Sequence, residues 1–164
     1  MSCLRNWLLA TTVAAVGTIA YAQTVKIEDP WVRGTVAQQK ATGAFMRLTA
    51  PEPMRLIDAA SPVAGVVEIH EMALENNVMK MRQIPGLGLP AGRPIELKPG
   101  GYHIMLMELK EPLTGERVVP LTLVFETADK RRIEQQVQAP VRPLGSSASS
   151  GHAGHHGHSH EHKH

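Results

Sequence analysis

Two histidines and a set of methionines hold most of the chemistry available to the central part of this sequence. In the stretch GGYHIMLMELK, residues 100–110, His103, Met105 and Met107 occupy every second position. Strand residues two apart share a face, so an extended segment here would present one imidazole followed by two thioethers. His70-Glu71-Met72 repeats the pairing upstream, and Met79 and Met81 lie between the two stretches. Thioether sulfur is a soft, neutral donor and imidazole a borderline one. Together they suit Cu(I) and disfavour hard ions such as Ca²⁺ or Mg²⁺. Thioethers also survive an oxidising compartment, where a cysteine site could be lost to disulfides.

These residues can converge only if the chain between them turns tightly. Asparagine tolerates positive φ, so Asn76-Asn77 can form a two-residue hairpin turn. That turn would set Met72 opposite Met81 and His70 opposite Gln83. His70 and Met81 then become diagonal neighbours on one face, about 7–8 Å apart at Cα. A loop one residue longer or shorter would destroy the arrangement. Met46 and Met54 are assigned to the core, the usual place for methionine on a sandwich strand. Met72 and Met79 could be core or could support the site. Met107 continues the stripe but is assigned to the core.

The elements that would position these groups are short strands. Segments 25–33, 44–49, 55–59, 66–72, 79–84, 95–97, 102–109, 121–126 and 131–138 are separated by Pro, Gly and Asn signals. Their recurrence at about ten-residue intervals predicts an all-β antiparallel sandwich or barrel. The apolar, turn-rich run Pro85-Gly86-Leu87-Gly88-Leu89-Pro90 is expected to be a loop crossing between hairpins. From Gly145 the composition changes to Ser, Gly, Ala and His, without apolar residues to build a core.

The first 22 residues have the form of a secretory signal. Arg5 gives a positive start, Trp7 to Ala20 is almost wholly apolar, and Ala20-Tyr21-Ala22 is a small-x-small cleavage pattern. Gln23 is then the first mature residue, in an exported, periplasmic protein without stable membrane insertion after cleavage. An uncleaved anchor is the alternative. Three regions are expected: the signal at 1–22, one folded domain at 23–144, and the tail at 145–164. The single cysteine, Cys3, lies within the signal and precedes its apolar run, which is not a lipobox arrangement. The mature chain therefore has no disulfide and no thiolate. Lys and Arg total 17 against 15 Asp and Glu, scattered rather than clustered, which gives no basis for nucleic-acid binding.

The spacing His70, ten residues, Met81, twenty-one residues, His103, one residue, Met105 matches the H-x10-M-x21-H-x-M motif without gaps. The flanks Asp29-Pro30-Trp31-Val32-Arg33, Ser61-Pro62-Val63-Ala64, Val67-Glu68-Ile69-His70-Glu71 and the run from Leu97 to Leu106 agree as well. From about Val25 to Val141 the chain resembles the periplasmic copper chaperone family known as PCuAC. The resemblance implies a cupredoxin-like, Greek-key antiparallel β-sandwich binding Cu(I) through His70, Met81, His103 and Met105. It further implies copper delivery to the dinuclear centre of cytochrome c oxidase subunit II, beside a Sco-type assembly protein.

The tail carries seven histidines: His152, His155, His156, His158, His160, His162 and His164. Without any methionine it is harder in character, suited to Cu(II), Zn²⁺ or Ni²⁺. A Cu(II)-collecting arm is expected, with non-specific buffering or a purification tag as the alternatives. A blue-copper electron carrier would need a cysteine ligand, and an N-terminal histidine brace would need histidine where Gln23 stands. No Gly-x-Ser-x-Gly marks a hydrolase, so no enzyme is expected. The surviving rival is a copper or zinc buffering protein that does not deliver its metal.

Overall fold

A computed structural model describes residues 24–144. The expected signal and the His-rich tail, with all seven tail histidines, lie outside the described residues. Ten strands follow in order: β1 (Lys26–Arg33), β2 (Ala41–Thr49), β3 (Met54–Ala60), β4 (Ala64–Glu75), β5 (Val78–Gln83), β6 (Leu87–Leu89), β7 (Pro94–Leu97), β8 (His103–Leu109), β9 (Val118–Thr127) and β10 (Arg132–Arg142). No helix occurs among the described residues. The fold is all-β, as the recurrent turn signals require.

Hydrogen bonds link the strands in the order β5-β4-β8-β2-β1-β10-β9-β3-β6, with β7 on the free half of β2. All pairs are antiparallel except β1 with β10, which meet in parallel over only Val32–Val141 and Arg33–Arg142. This thin parallel seam departs from the purely antiparallel expectation. It joins two arrays whose inner faces share one core. On β9 the alternation is clean, with Val119, Leu121, Leu123, Phe125 and Thr127 buried. Ala44, Met46, Leu48, Ile69, Ile104 and Leu106 answer from the other array. Fully burying a side chain such as Ile104 or Leu106 contributes roughly 1.5–3 kcal/mol.

Two expectations need correction. The run 85–90 is not wholly loop, because Leu87 and Leu89 are buried and pair with Leu56 and Met54 as a short edge strand. Its Pro and Gly flanks resemble a turn when read locally, and only the core contact makes it a strand. Met107 is not core. It is half-buried on the face opposite Ile104 and Leu106, between Ala41 and Val66. Met46 and Met54 are core, each 4% exposed.

Candidate metal centre

Strand β8 lies between β2 and β4, and its alternation separates two tasks. Ile104 and Leu106 enter the core, while His103, Met105 and Met107 face outward. Across β4, Ile69 pairs with Ile104 and His70 stands directly opposite His103. The two imidazole centroids are 5.7 Å apart and inclined at 61°. Asn76 and Asn77 both adopt positive φ, 51° and 62°, which is the two-residue turn that hairpin geometry favours. The resulting register sets Met72 opposite Met81 and His70 opposite Gln83. Met81 thereby reaches β8, with its Sδ 3.2 Å from His103 Nε2.

A second turn fixes His103. Lys98-Pro99-Gly100-Gly101 has Pro at the second position, Gly100 at φ 80° in the third, and a 3.0 Å bond from Gly101 N to Lys98 O. These are the marks of a type II turn, whose third position favours glycine. The turn offers the Gly101 carbonyl to Met72 N at 3.3 Å and to His103 Nδ1 at 3.0 Å. A carbonyl only accepts, so His103 Nδ1 donates. In the neutral ring, Nε2 then carries the lone pair that points towards Met81 Sδ. Burial pushes His103 below the usual imidazole range, partly opposed by the Gly101 carbonyl and reinforced by the positive charge of nearby Arg33.

His70 is oriented from its other nitrogen. Its Nε2 lies 2.6 Å from Glu68 Oε2, two residues back on the same face. A carboxylate accepts, so Nε2–H donates and the free lone pair falls on Nδ1. His70 Nδ1 is the one buried side-chain nitrogen or oxygen without a hydrogen-bond partner among the described residues. Such an orphan in a protein interior calls for an explanation, and its lone pair is of the kind that can coordinate a metal ion.

A cavity of about 240 Å³ opens over this face, lined by Met72, Met81, His103 and Met105 together with Arg33, Phe45 and the Pro99-Gly100 turn. Met105 sits between Gly43 on β2 and Glu68 on β4. Gly43 leaves room there: a Cβ would stand 2.7 Å from the Phe45 ring. That ring stacks on Trp31, with centroids 4.4 Å apart, and lies beneath the Arg33 guanidinium. The structure thus brings Met81, His103 and Met105 to one cavity, while His70 stands beside His103 and outside the lining. No group of three or more His, Cys, Asp or Glu among the described residues could hold a metal. The mixed imidazole–thioether set is therefore the available donor cluster, and it is soft. Sequence reasoning missed Glu68 as the residue that orients His70. Its place two residues before His70 on a predicted strand was the signal that could have found it.

The family model described as "Putative lipoprotein LpqE-like" matches residues 25–141. A protein from Leifsonia xyli subsp. xyli (strain CTCB07), named "Putative lipoprotein Lxx21020", is 32% identical over 126 residues, 72% of this chain and 76% of its own length. Among solved structures, the copper-bound PCuAC domain from PmoF2 is similar with a TM-score of 0.60 and 26% identity, over 75% of this chain and 97% of that domain. The Cu(I) form of DR1885 from Deinococcus radiodurans has a TM-score of 0.55 and 30% identity, over 78% and 85%. Residues 25–141 span both turns and both histidine strands that build the centre, and on these matches the chain belongs to the LpqE-like family and has the fold of the PCuAC domains.

Proposed function

We propose that this protein is a periplasmic copper carrier that holds Cu(I) as cargo on His70, Met81, His103 and Met105. The observation that carries the proposal is the approach of Met81 Sδ to His103 Nε2, 3.2 Å away, with the His70 ring, whose Nδ1 is unpartnered, centred 5.7 Å from that of His103. The copper-bound neighbours, one of them in the Cu(I) state, add support. All four donors are neutral, so bound Cu(I) keeps its positive charge, and Arg33 on the cavity rim adds another. Such a centre favours hand-over rather than permanent retention.

The acceptor we propose is the copper centre of cytochrome c oxidase subunit II, with a Sco-type assembly protein alongside. The tail histidines, His152 to His164, would collect Cu(II) separately. Export to the periplasm fits the segment at residues 1–22 and the lipoprotein names of the relatives. Catalysis is not part of this role.

Directional transfer tests it. The Cu(I)-loaded mature protein is mixed with the apo copper domain of an oxidase subunit II, and the metal content of each is followed after separation. Copper is expected on the acceptor. Retention on the donor against a competent acceptor would instead indicate a buffering protein.

A further inference from the structure

We propose that Met72 and Met79 form, with Met81, a second thioether position for Cu(I) at the β4–β5 hairpin, through which the ion leaves the His103 centre. This position presupposes the centre proposed above and extends it.

Exposure is the first observation. Eight large apolar side chains are exposed among the described residues, and four of them lie on this one hairpin: Leu74, Val78, Met79 and Met81. Met79 and Met81 are each 50% exposed. Methionine earns its place in a core by filling irregular gaps. A half-exposed side chain on a strand with no buried residue fills none, so packing gives no reason for sulfur there.

The register supplies the second observation. Met72 stands directly opposite Met81, and Met79 lies two residues from Met81 on the same strand, opposite Leu74. All three thioethers therefore share the face that carries His70 and His103. Directly opposed residues have Cβ atoms about 4.5–5.5 Å apart, and same-face residues on one strand lie about 7 Å apart. Flexible thioethers can close on one ion across such distances. Met72 and Met81 line the cavity with His103 and Met105, whereas Met79 stands outside it, nearer the turn. Thioethers thus occupy successive same-face positions from the cavity towards the exposed turn of the hairpin.

The opposite face of β5 is occupied differently. Lys80 pairs with Glu75, and Arg82 with Glu71 and Glu75. These ion pairs tie the hairpin together and leave its thioether face unencumbered. β5 also ends the strand order, so no further strand among the described residues covers its outer edge.

The exchange needs no electron or proton. As Cu(I) moves outward, Met81 stays bound, the two imidazole–copper bonds are replaced by thioether–copper bonds to Met72 and Met79, and the Met105–copper bond breaks to leave a three-coordinate ion. Copper remains Cu(I) throughout, and the vacated imidazoles remain neutral. Stepwise replacement avoids a poorly coordinated ion during departure, and so lowers the barrier to release.

Stopped-flow release to bicinchoninate, a Cu(I) chelator, tests this on the mature protein. Met72→Leu/Met79→Leu keeps volume and apolarity but removes both sulfurs. Equilibrium Cu(I) affinity is expected to stay within about twofold of wild type while release slows about tenfold. Val78→Ser removes apolar surface from the same hairpin without touching sulfur, and should release as wild type does. Unchanged release in the double variant, or equal slowing in Val78→Ser, overturns the second position. A large loss of affinity in the double variant overturns it too, by placing those sulfurs in the primary centre. His103→Ala separates the two claims: weakened binding with normal release in the double variant leaves the centre standing, whereas unaltered binding removes both.

Discussion

At the scale of the residue, each histidine has one nitrogen committed and one free. Gly101 O holds His103 Nδ1, and Glu68 holds His70 Nε2. This division makes Glu68 a positioning residue. Glu68→Ala should weaken Cu(I) binding about 10- to 100-fold, the usual cost of losing such support, in a competition titration. Met81→Leu and Met105→Leu should each weaken binding as well, while thermal unfolding stays within about 1.5 kcal/mol of wild type because volume is nearly kept. The depressed His103 pKa has its own consequence. The unfolded ring takes up a proton more readily than the folded one, so apo stability is full above the unfolded value near 6.5 and falls as pH drops below it. Thermal melts from about pH 7.5 to about pH 5.5 should show this decline, and His103→Gln should flatten it.

At the scale of the element, two turns do the positioning. Asn76-Asn77 sets which residue of β5 faces His103, and Lys98-Pro99-Gly100-Gly101 sets the carbonyl that orients it. Inserting one glycine between Asn76 and Asn77 should shift β5 by a residue and turn its thioethers to the other face. Cu(I) binding should then fall sharply while far-ultraviolet circular dichroism stays that of the native sheet. Much of this was legible in the sequence. Asparagine's tolerance of positive φ gave the hairpin, and period-two spacing placed His103 and Met105 on one face. Met107 was misjudged because alternation says which residues share a face but not which face meets the core. Leu87–Leu89 was missed because its pairing with β3 is non-local, and three residues between Pro and Gly resemble a turn. Glu68 escaped notice because a carboxylate on a strand reads as a solvent-facing charge until its partner is placed.

At the scale of the whole molecule, a rigid two-array core carries a soft, half-open centre on the outer face of one array. Ile69, Ile104 and Leu106 anchor β4 and β8 from below, so the histidines above them inherit a fixed spacing. The tail is chemically distinct from this centre: it carries seven histidines with Glu161 among them, and no methionine. Deleting residues 146–164 should abolish most Cu(II) binding and leave Cu(I) binding intact, as read by titration with each ion. The central claim is that Cu(I) sits on a mixed imidazole–thioether set in the folded domain. X-ray absorption spectroscopy of the Cu(I)-loaded protein lacking residues 146–164 tests it most directly. The copper should show both sulfur and imidazole nitrogen among its nearest neighbours, with the sulfur contribution reduced by Met81→Leu. A nearest shell of nitrogen and oxygen alone would contradict the account.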